Sequence, residues 1–304
     1  MASKESEALS DLYRVWAKRQ ASEPDMSMDE MRRMFSHWGD VTAEPGGIDY
    51  IESELGGLLA LTINPKGASD DHVILCAHGG GYVAGSIYTH RKFFGHVAKQ
   101  VGCRAIAVDY ALCPENAHPA PVDDMVRAYK ALLDEGLAPE RIALLGDSAG
   151  GALALTTVAA IRAAGLPLPA ATVPLSPWAG SDTSGDSYDF NADNDVLVTR
   201  AMSVAIGQLF IGDADPADPL ANPIHIDYAG YPPIYIQVGG YEAVLADSTR
   251  PAESARKAGV DVRIDIFPEM QHCFQLMAGA APEADQAVTQ IAQWLRPKLG
   301  LGSE

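Results

Sequence analysis

Six residues, Gly146-Asp147-Ser148-Ala149-Gly150-Gly151, constrain this chain more than any other stretch. They follow an apolar run, Arg141-Ile142-Ala143-Leu144-Leu145, and lead into Ala152-Leu153-Ala154-Leu155-Thr156-Thr157-Val158-Ala159-Ala160, which reads as a buried helix. Strand, sharp turn and helix form the setting in which G-x-S-x-G holds a serine hydroxyl clear of a sheet edge. Gly146 and Gly150 flank Ser148 because a Cβ at either place would crowd neighbouring backbone. The serine itself is expected in strained φ/ψ. The helix that follows points its positive end at Ser148 and favours an anion there.

The rest of the chain supplies a sheet for that turn. Residues 8–20 and 27–38 carry apolar side chains at helical spacing, with Leu9, Leu12 and Trp16, then Met28, Met31, Phe35 and Trp38. They read either as helices packed on the core or as a lid over an apolar pocket. Runs 48–55 and 58–63 alternate and flank Gly56-Gly57, which predicts a hairpin. Strands are then expected at 73–77, 103–109, 141–145, 171–175, 234–238 and 262–267. Helices are expected at 90–101, 120–133, 149–164, 248–258 and 283–295. This alternation predicts a mostly parallel, doubly wound α/β sheet. It breaks between about 178 and 232, where a polar loop, 181–195, precedes an apolar helix, 199–211. That insertion and the N-terminal helices, about 1–45 and 180–230, are expected to cap one domain spanning 1–304 at the carboxyl ends of its strands.

Composition narrows the partners. With 40 acidic against 22 basic residues the net charge is −18, which repels phosphate backbones and anionic membranes. Nucleic acid is therefore not an expected partner. No apolar stretch is long enough to span a bilayer, and the polar N-terminus has no apolar signal core. Cys76, Cys103, Cys113 and Cys273 lack metal or disulfide spacing, so reduced thiols in a cytoplasmic protein are expected.

The strand 73–77 ends in His78-Gly79-Gly80-Gly81-Tyr82. Consecutive glycines let backbone N–H groups approach a ligand closely. Such a loop accompanies the serine turn in lipases and esterases, where its N–H groups hold a tetrahedral oxyanion. One such donor is worth about 3–4 kcal/mol. A serine hydroxyl also needs a base. The chain order on this kind of sheet is Ser, acid, His, and of eight histidines only His225 and His272 follow Ser148. His272 follows the strand 262–267 and a turn, so it is the expected base. His225 is read as a loop histidine, and His78 as a structural residue bonded to the glycine loop. The acid should follow the strand 234–238. Glu242 lies nearer the strand end; Asp247 lies where a helix would begin and could cap it. Both remain open, with Glu242 preferred.

HGGGY at 78–82, Asp109-Tyr110-Ala111-Leu112-Cys113-Pro114-Glu115, GDSAGG at 146–151, Gly239-x-x-Glu242 and His272 together resemble the bacterial hormone-sensitive-lipase-like esterases. These are family IV of the α/β-hydrolase fold. The resemblance covers nearly the whole chain. It implies a carboxylesterase acting on short acyl esters, with Ser148 as nucleophile and His272 as base. The oxyanion donors would be the N–H groups of Gly80, Gly81 and Ala149, and Asp147 would brace the turn. No metal or organic cofactor is implied, and a homodimer through an edge strand such as 262–267 is common in the family.

The chain departs from the family pattern in three places. It has Glu242-Ala243-Val244 for Asp-Pro-Leu, Cys273 for the Gly after the histidine, and Tyr-Ala-Leu-Cys-Pro-Glu for Tyr-Arg-Leu-Ala-Pro-Glu. The acid turn is similar to a branch that includes monoterpene lactone hydrolases, so a lactone is an alternative substrate. Some relatives of the fold bind ligands after losing the histidine; His272 argues against that reading here. Amidase and long-chain lipase readings would be separated by matched amide substrates and by activation at an oil–water interface.

Overall fold

The first two elements of the computed structural model are the amphipathic helices read from the N-terminal pattern. The structure describes residues 2–180 and 182–302. Met1, Ser181 (which opens the expected loop 181–195), Ser303 and Glu304 lie outside the described residues. Helix α1, Glu7–Ser22, buries Leu9, Tyr13 and Trp16. Helix α2, Met28–Phe35, starts at Ser27, whose hydroxyl accepts from Glu30 N while the Glu30 carboxylate accepts from Ser27 N. The expected helix 27–38 ends early: residues Ser36–Val41 tighten into a 3-10 turn that buries Trp38.

Strands β1, Ile48–Leu55, and β2, Leu58–Pro65, pair across Gly56-Gly57 with Leu55 opposite Leu58, as the alternation predicts. Then come β3, Ser69–Ala77; α3, Ile87–Val101; β4, Cys103–Val108; α4, Ala120–Asp134; β5, Ile142–Asp147; α5, Ala149–Ala163; and β6, Ala171–Leu175. Helix α3 begins earlier than expected because the Ser86 hydroxyl accepts from Tyr88 N and Thr89 N. The insertion holds a short helix, α6, Ser187–Phe190, inside the segment expected as loop, and α7, Arg200–Ile211. The chain ends with β7, Ile234–Gly239; α8, Leu245–Lys257; β8, Val262–Phe267; and α9, Pro282–Lys298.

The strand order is β1-β2-β4-β3-β5-β6-β7-β8. Only the β1–β2 and β2–β4 junctions are antiparallel. Every residue of β5 is buried, and α5 behind it is buried almost all round, which its Ala- and Leu-rich sequence permits. Helix α3 packs with α9, and α4 with α5. Strand β8 is at the sheet edge, with Ile266 exposed. All four cysteines are buried and unpaired. Among the described residues no helix is long and apolar enough to cross a membrane.

One expectation about α8 fails. The turn after β7 runs directly into the helix, with Leu245 N bonded to Glu242 O and Asp247 N to Val244 O. The cap position is therefore Val244, and Asp247 sits inside the first turn.

Candidate active site

Strand β5 delivers Ser148 to a turn with φ 53° and ψ −121°. That conformation is strained for a residue with a side chain and persists because its surroundings leave no alternative. A Cβ on Gly146 would sit 2.2 Å from Gly150 O, and one on Gly150 2.1 Å from Ala77 O. The turn is held from the next strand by Ser148 N donating to Leu175 O at 2.8 Å.

The glycine loop lies beside it. Gly80 and Gly81 take φ of 124° and 62°, and a Cβ on Gly80 would meet Ala84 O at 2.1 Å. Gly80 and Gly81 line the same cleft as Ser148 and His272. Among the described residues, the N–H groups of Gly80, Gly81 and Ala149 donate to no other group of the chain. Asp147 ties loop to turn: one carboxylate oxygen accepts from Gly79 N at 3.1 Å, the other lies 3.2 Å from His90 Nε2. Burial works against the Asp147 charge, but His90 beside it holds the carboxyl below its usual range. His78 Nδ1 donates to Gly79 O at 2.8 Å, and its ring stacks on Tyr110. Burial, then the neighbouring His90, pushes His78 down to about 3, so it stays neutral. From α2, the Arg32 guanidinium donates to Val83 O and Cys113 O and forks onto Glu115.

The structure brings Ser148, His272 and Glu242 together. His272 Nε2 lies 2.8 Å from Ser148 Oγ, and His272 Nδ1 lies 2.8 Å from Glu242 Oε2. The other Glu242 oxygen accepts from Ser176 Oγ at 2.6 Å and from Gly239 N. Burial disfavours a charged imidazole, yet the bond to Glu242 and its negative charge raise His272 above its ordinary value. Asp247 does not reach His272. Its carboxylate accepts instead from Ala179 N at 3.0 Å and Tyr188 OH at 3.3 Å. Burial pushes Asp247 up to about 7, which leaves it a poor fixed anion. His225 is exposed, on the turn Pro223–His225.

The cleft holds about 450 Å³ of empty space, counted to its open mouth. Phe35 and Trp38 line it from the N-terminal segment. Leu197, Val198, Met202, Ser203 and Ile206 line it from the insertion, and Trp178 from the end of β6. Its walls are thus mostly apolar, suited to an acyl chain.

Several residues around the site carry no motif. Asp195 accepts from Leu197 N, Val198 N and Ala243 N, and so joins the cleft wall to the acid turn. The Asn191 amide donates to Gly240 O and Glu242 O. Only Asp195 had a usable local signal, an Asp before Val196-Leu197-Val198 that folds back on its own backbone. Ser176, His90 and Asn191 act across the sequence and leave no local pattern.

Comparison with known proteins identifies the family. A family model described as the alpha/beta hydrolase fold matches residues 74–276. An acetyl-hydrolase of Streptomyces hygroscopicus is 34% identical over 305 residues, covering 99% of each chain. An esterase of Acinetobacter venetianus is 34% identical over 268 residues, covering 88% of this chain and 86% of that one. A crystal structure of an esterase from the bacterial hormone-sensitive lipase (HSL) family matches with a TM-score of 0.93 at 39% identity, covering 99% of this chain and 100% of that chain. The chain therefore belongs to the α/β-hydrolase family, in its hormone-sensitive-lipase-like branch, and is a carboxylic ester hydrolase.

Proposed function

We propose that this esterase works through an acyl-enzyme on Ser148. Ser148 Oγ attacks the ester carbonyl carbon while His272 Nε2 takes its proton. Glu242 holds the imidazole in the required tautomer and stabilises its cation. The N–H groups of Gly80, Gly81 and Ala149 receive the oxyanion. When the carbon–oxygen bond to the alcohol breaks, His272 returns the proton to the leaving oxygen. Water then gives a proton to His272, attacks the acyl carbon and releases the acid, and Ser148 regains its proton. The observation that carries this reading is the pair of 2.8 Å contacts joining Ser148, His272 and Glu242. The unbonded N–H groups beside the cleft support it.

The preferred substrates are short acyl esters. The bounded apolar cleft supports this, and one relative is named an acetyl-hydrolase. A lactone would follow the same steps, but the relatives' names favour open-chain esters. The N-terminal segment, about 1–45, and the insertion, about 180–230, form the cap of the cleft. The edge position of β8 supports a homodimer, testable by light scattering. Four buried unpaired thiols support work in the cytoplasm, where thiols stay reduced.

The test is hydrolysis of p-nitrophenyl acetate, butyrate, octanoate and palmitate by the wild type and by Ser148→Ala. Activity on the two short esters that disappears in Ser148→Ala is expected. A preference for palmitate would overturn the chain-length reading, and an active Ser148→Ala the mechanism.

A further inference from the structure

The loop that carries His272 is bent in a way its own sequence does not favour. Glu269 and Cys273 both have positive φ, 61° and 56°, and neither is glycine. Such a backbone persists only where surrounding groups over-determine it. One of those groups comes from the far end of the chain. Tyr13, fully buried on α1, donates its hydroxyl proton to the carbonyl oxygen of His272 at 2.8 Å. The same hydroxyl accepts from the indole N–H of Trp38 at 2.9 Å. An indole N–H can only donate, so the Tyr13 proton is turned onto the carbonyl and has no other place to go. Burial holds the phenol protonated far into the alkaline range, so this donor is permanent.

Two more bonds from the same segment hold the chain just beyond His272. Thr42 Oγ1 donates to Leu276 O, and Ala43 N donates to Ala278 O at 3.1 Å. The Trp38 ring meanwhile lines the cleft beside Ser148. The N-terminal segment therefore does more than line the cleft: it grips the loop that presents His272.

We propose that Tyr13 is a positioning residue for His272, with Trp38 fixing the direction of its hydroxyl, so that the N-terminal segment sets turnover as well as substrate fit. Tyr13 touches no reacting atom and acts only through the His272 backbone. The proposal rests on His272 being the base. Without the hydroxyl, a buried carbonyl and a buried indole N–H lose their partners together, and the imidazole loses a fixed anchor.

The test is Tyr13→Phe, which keeps the ring and removes the oxygen. Active serines are counted by stoichiometric fluorophosphonate labelling, so that unfolded protein does not enter the rate. The expected result is a fall of about tenfold in kcat on p-nitrophenyl butyrate, with KM changed less than about twofold. The rate of fluorophosphonate labelling, which needs the same base, falls by a similar factor. In Trp38→Phe the hydroxyl keeps the carbonyl but loses its enforced direction, and kcat falls less. The double variant is then no worse than Tyr13→Phe alone. An unchanged kcat per active serine in Tyr13→Phe, a loss confined to KM, or losses that multiply in the double variant would overturn the proposal. If Tyr13→Phe gives no folded protein, Trp38→Phe decides by its labelling rate with a small fluorophosphonate that does not fill the cleft, since Trp38 also lines it: slower labelling per active serine supports the proposal, and an unchanged rate overturns it. His272→Ala is the separate control. If it labels at the wild-type rate, the base assignment itself has failed, whatever Tyr13→Phe does.

Discussion

Close packing at glycines, pinned by Asp147, dominates the serine half of the site; hydrogen bonds sent from distant side chains dominate the base half. At the turn and the glycine loop, a Cβ on Gly79, Gly80, Gly146 or Gly150 would meet another atom between 2.1 and 2.3 Å away. Nothing larger than glycine fits there, and the atoms met lie within 77–84 and 146–150. The base half has one comparable contact, where a Cβ on Gly239 would lie 2.2 Å from Met270 O. Otherwise Glu242 is set by Ser176, its turn by Asn191 and Asp195, and His272 by Tyr13. In the proposed mechanism the serine half receives an oxyanion that forms in one place. The other half carries the groups proposed to move protons, and its geometry is tied to the segments lining the cleft.

This contrast predicts different kinds of damage. The largest effect is expected from Gly150→Ala, whose methyl group would enter the backbone at Ala77 and His78. It should give no folded protein by circular dichroism, whereas Gly46→Ala, with open space around it, should fold normally. Folded and active Gly150→Ala would break the account of the serine half.

In the base half, the expected losses are catalytic, with the fold kept. Glu242→Gln should lower kcat/KM by about 1,000-fold or more, because the amide no longer fixes the tautomer or balances the cation. Asp247→Asn should stay within about fivefold of wild type, because its partners are Ala179 and Tyr188. The reverse order would exchange their roles. The pH profile sharpens the same point. The base must be neutral, so activity is lost as pH falls through the His272 value. Glu242 raises that value, so the acid limb of kcat/KM should lie above the ordinary histidine value of about 6.5 and move down in the residual activity of Glu242→Gln.

A smaller loss is expected at Asp195. Its two oxygens serve three backbone N–H groups, and an amide offers only one oxygen. Asp195→Asn should lower kcat by about tenfold with melting temperature less affected, measured side by side. Unchanged kcat would mean the cleft wall and the acid turn are not coupled. The smallest effect concerns Asp247 and stability. Its folded value near 7 lies above that of an unfolded aspartate, so its contribution is present at low pH and lost as pH rises through about 7. The wild-type melting temperature should therefore drop more between pH 6 and 8 than that of Asp247→Asn.

The same division explains what could be read in advance. The serine turn, the glycine loop and the strand–helix alternation are local: glycine at fixed offsets and apolar periodicity have no other good use. The choice between Glu242 and Asp247 turned on where β7 ends and α8 begins, a boundary that sequence periodicity does not locate. Gly239 closes the strand and Leu245 opens the helix, which leaves Glu242 on the connecting turn and Asp247 facing Ala179. His90, Ser176, Asn191 and Tyr13 were silent because a single hydrogen bond between residues far apart imposes no spacing on either. Arg32 was silent for the same reason, although Glu115 in the Tyr-Ala-Leu-Cys-Pro-Glu stretch is the anion it pairs with.

The most direct test of the central claim is the mass of the intact protein after brief mixing with p-nitrophenyl butyrate and acid quenching. An adduct of one butyryl group per chain, located on Ser148 by peptide mapping and absent from Ser148→Ala, is the predicted result. An adduct on another residue, or a Ser148→Ala protein that hydrolyses the ester at the wild-type rate, would contradict it.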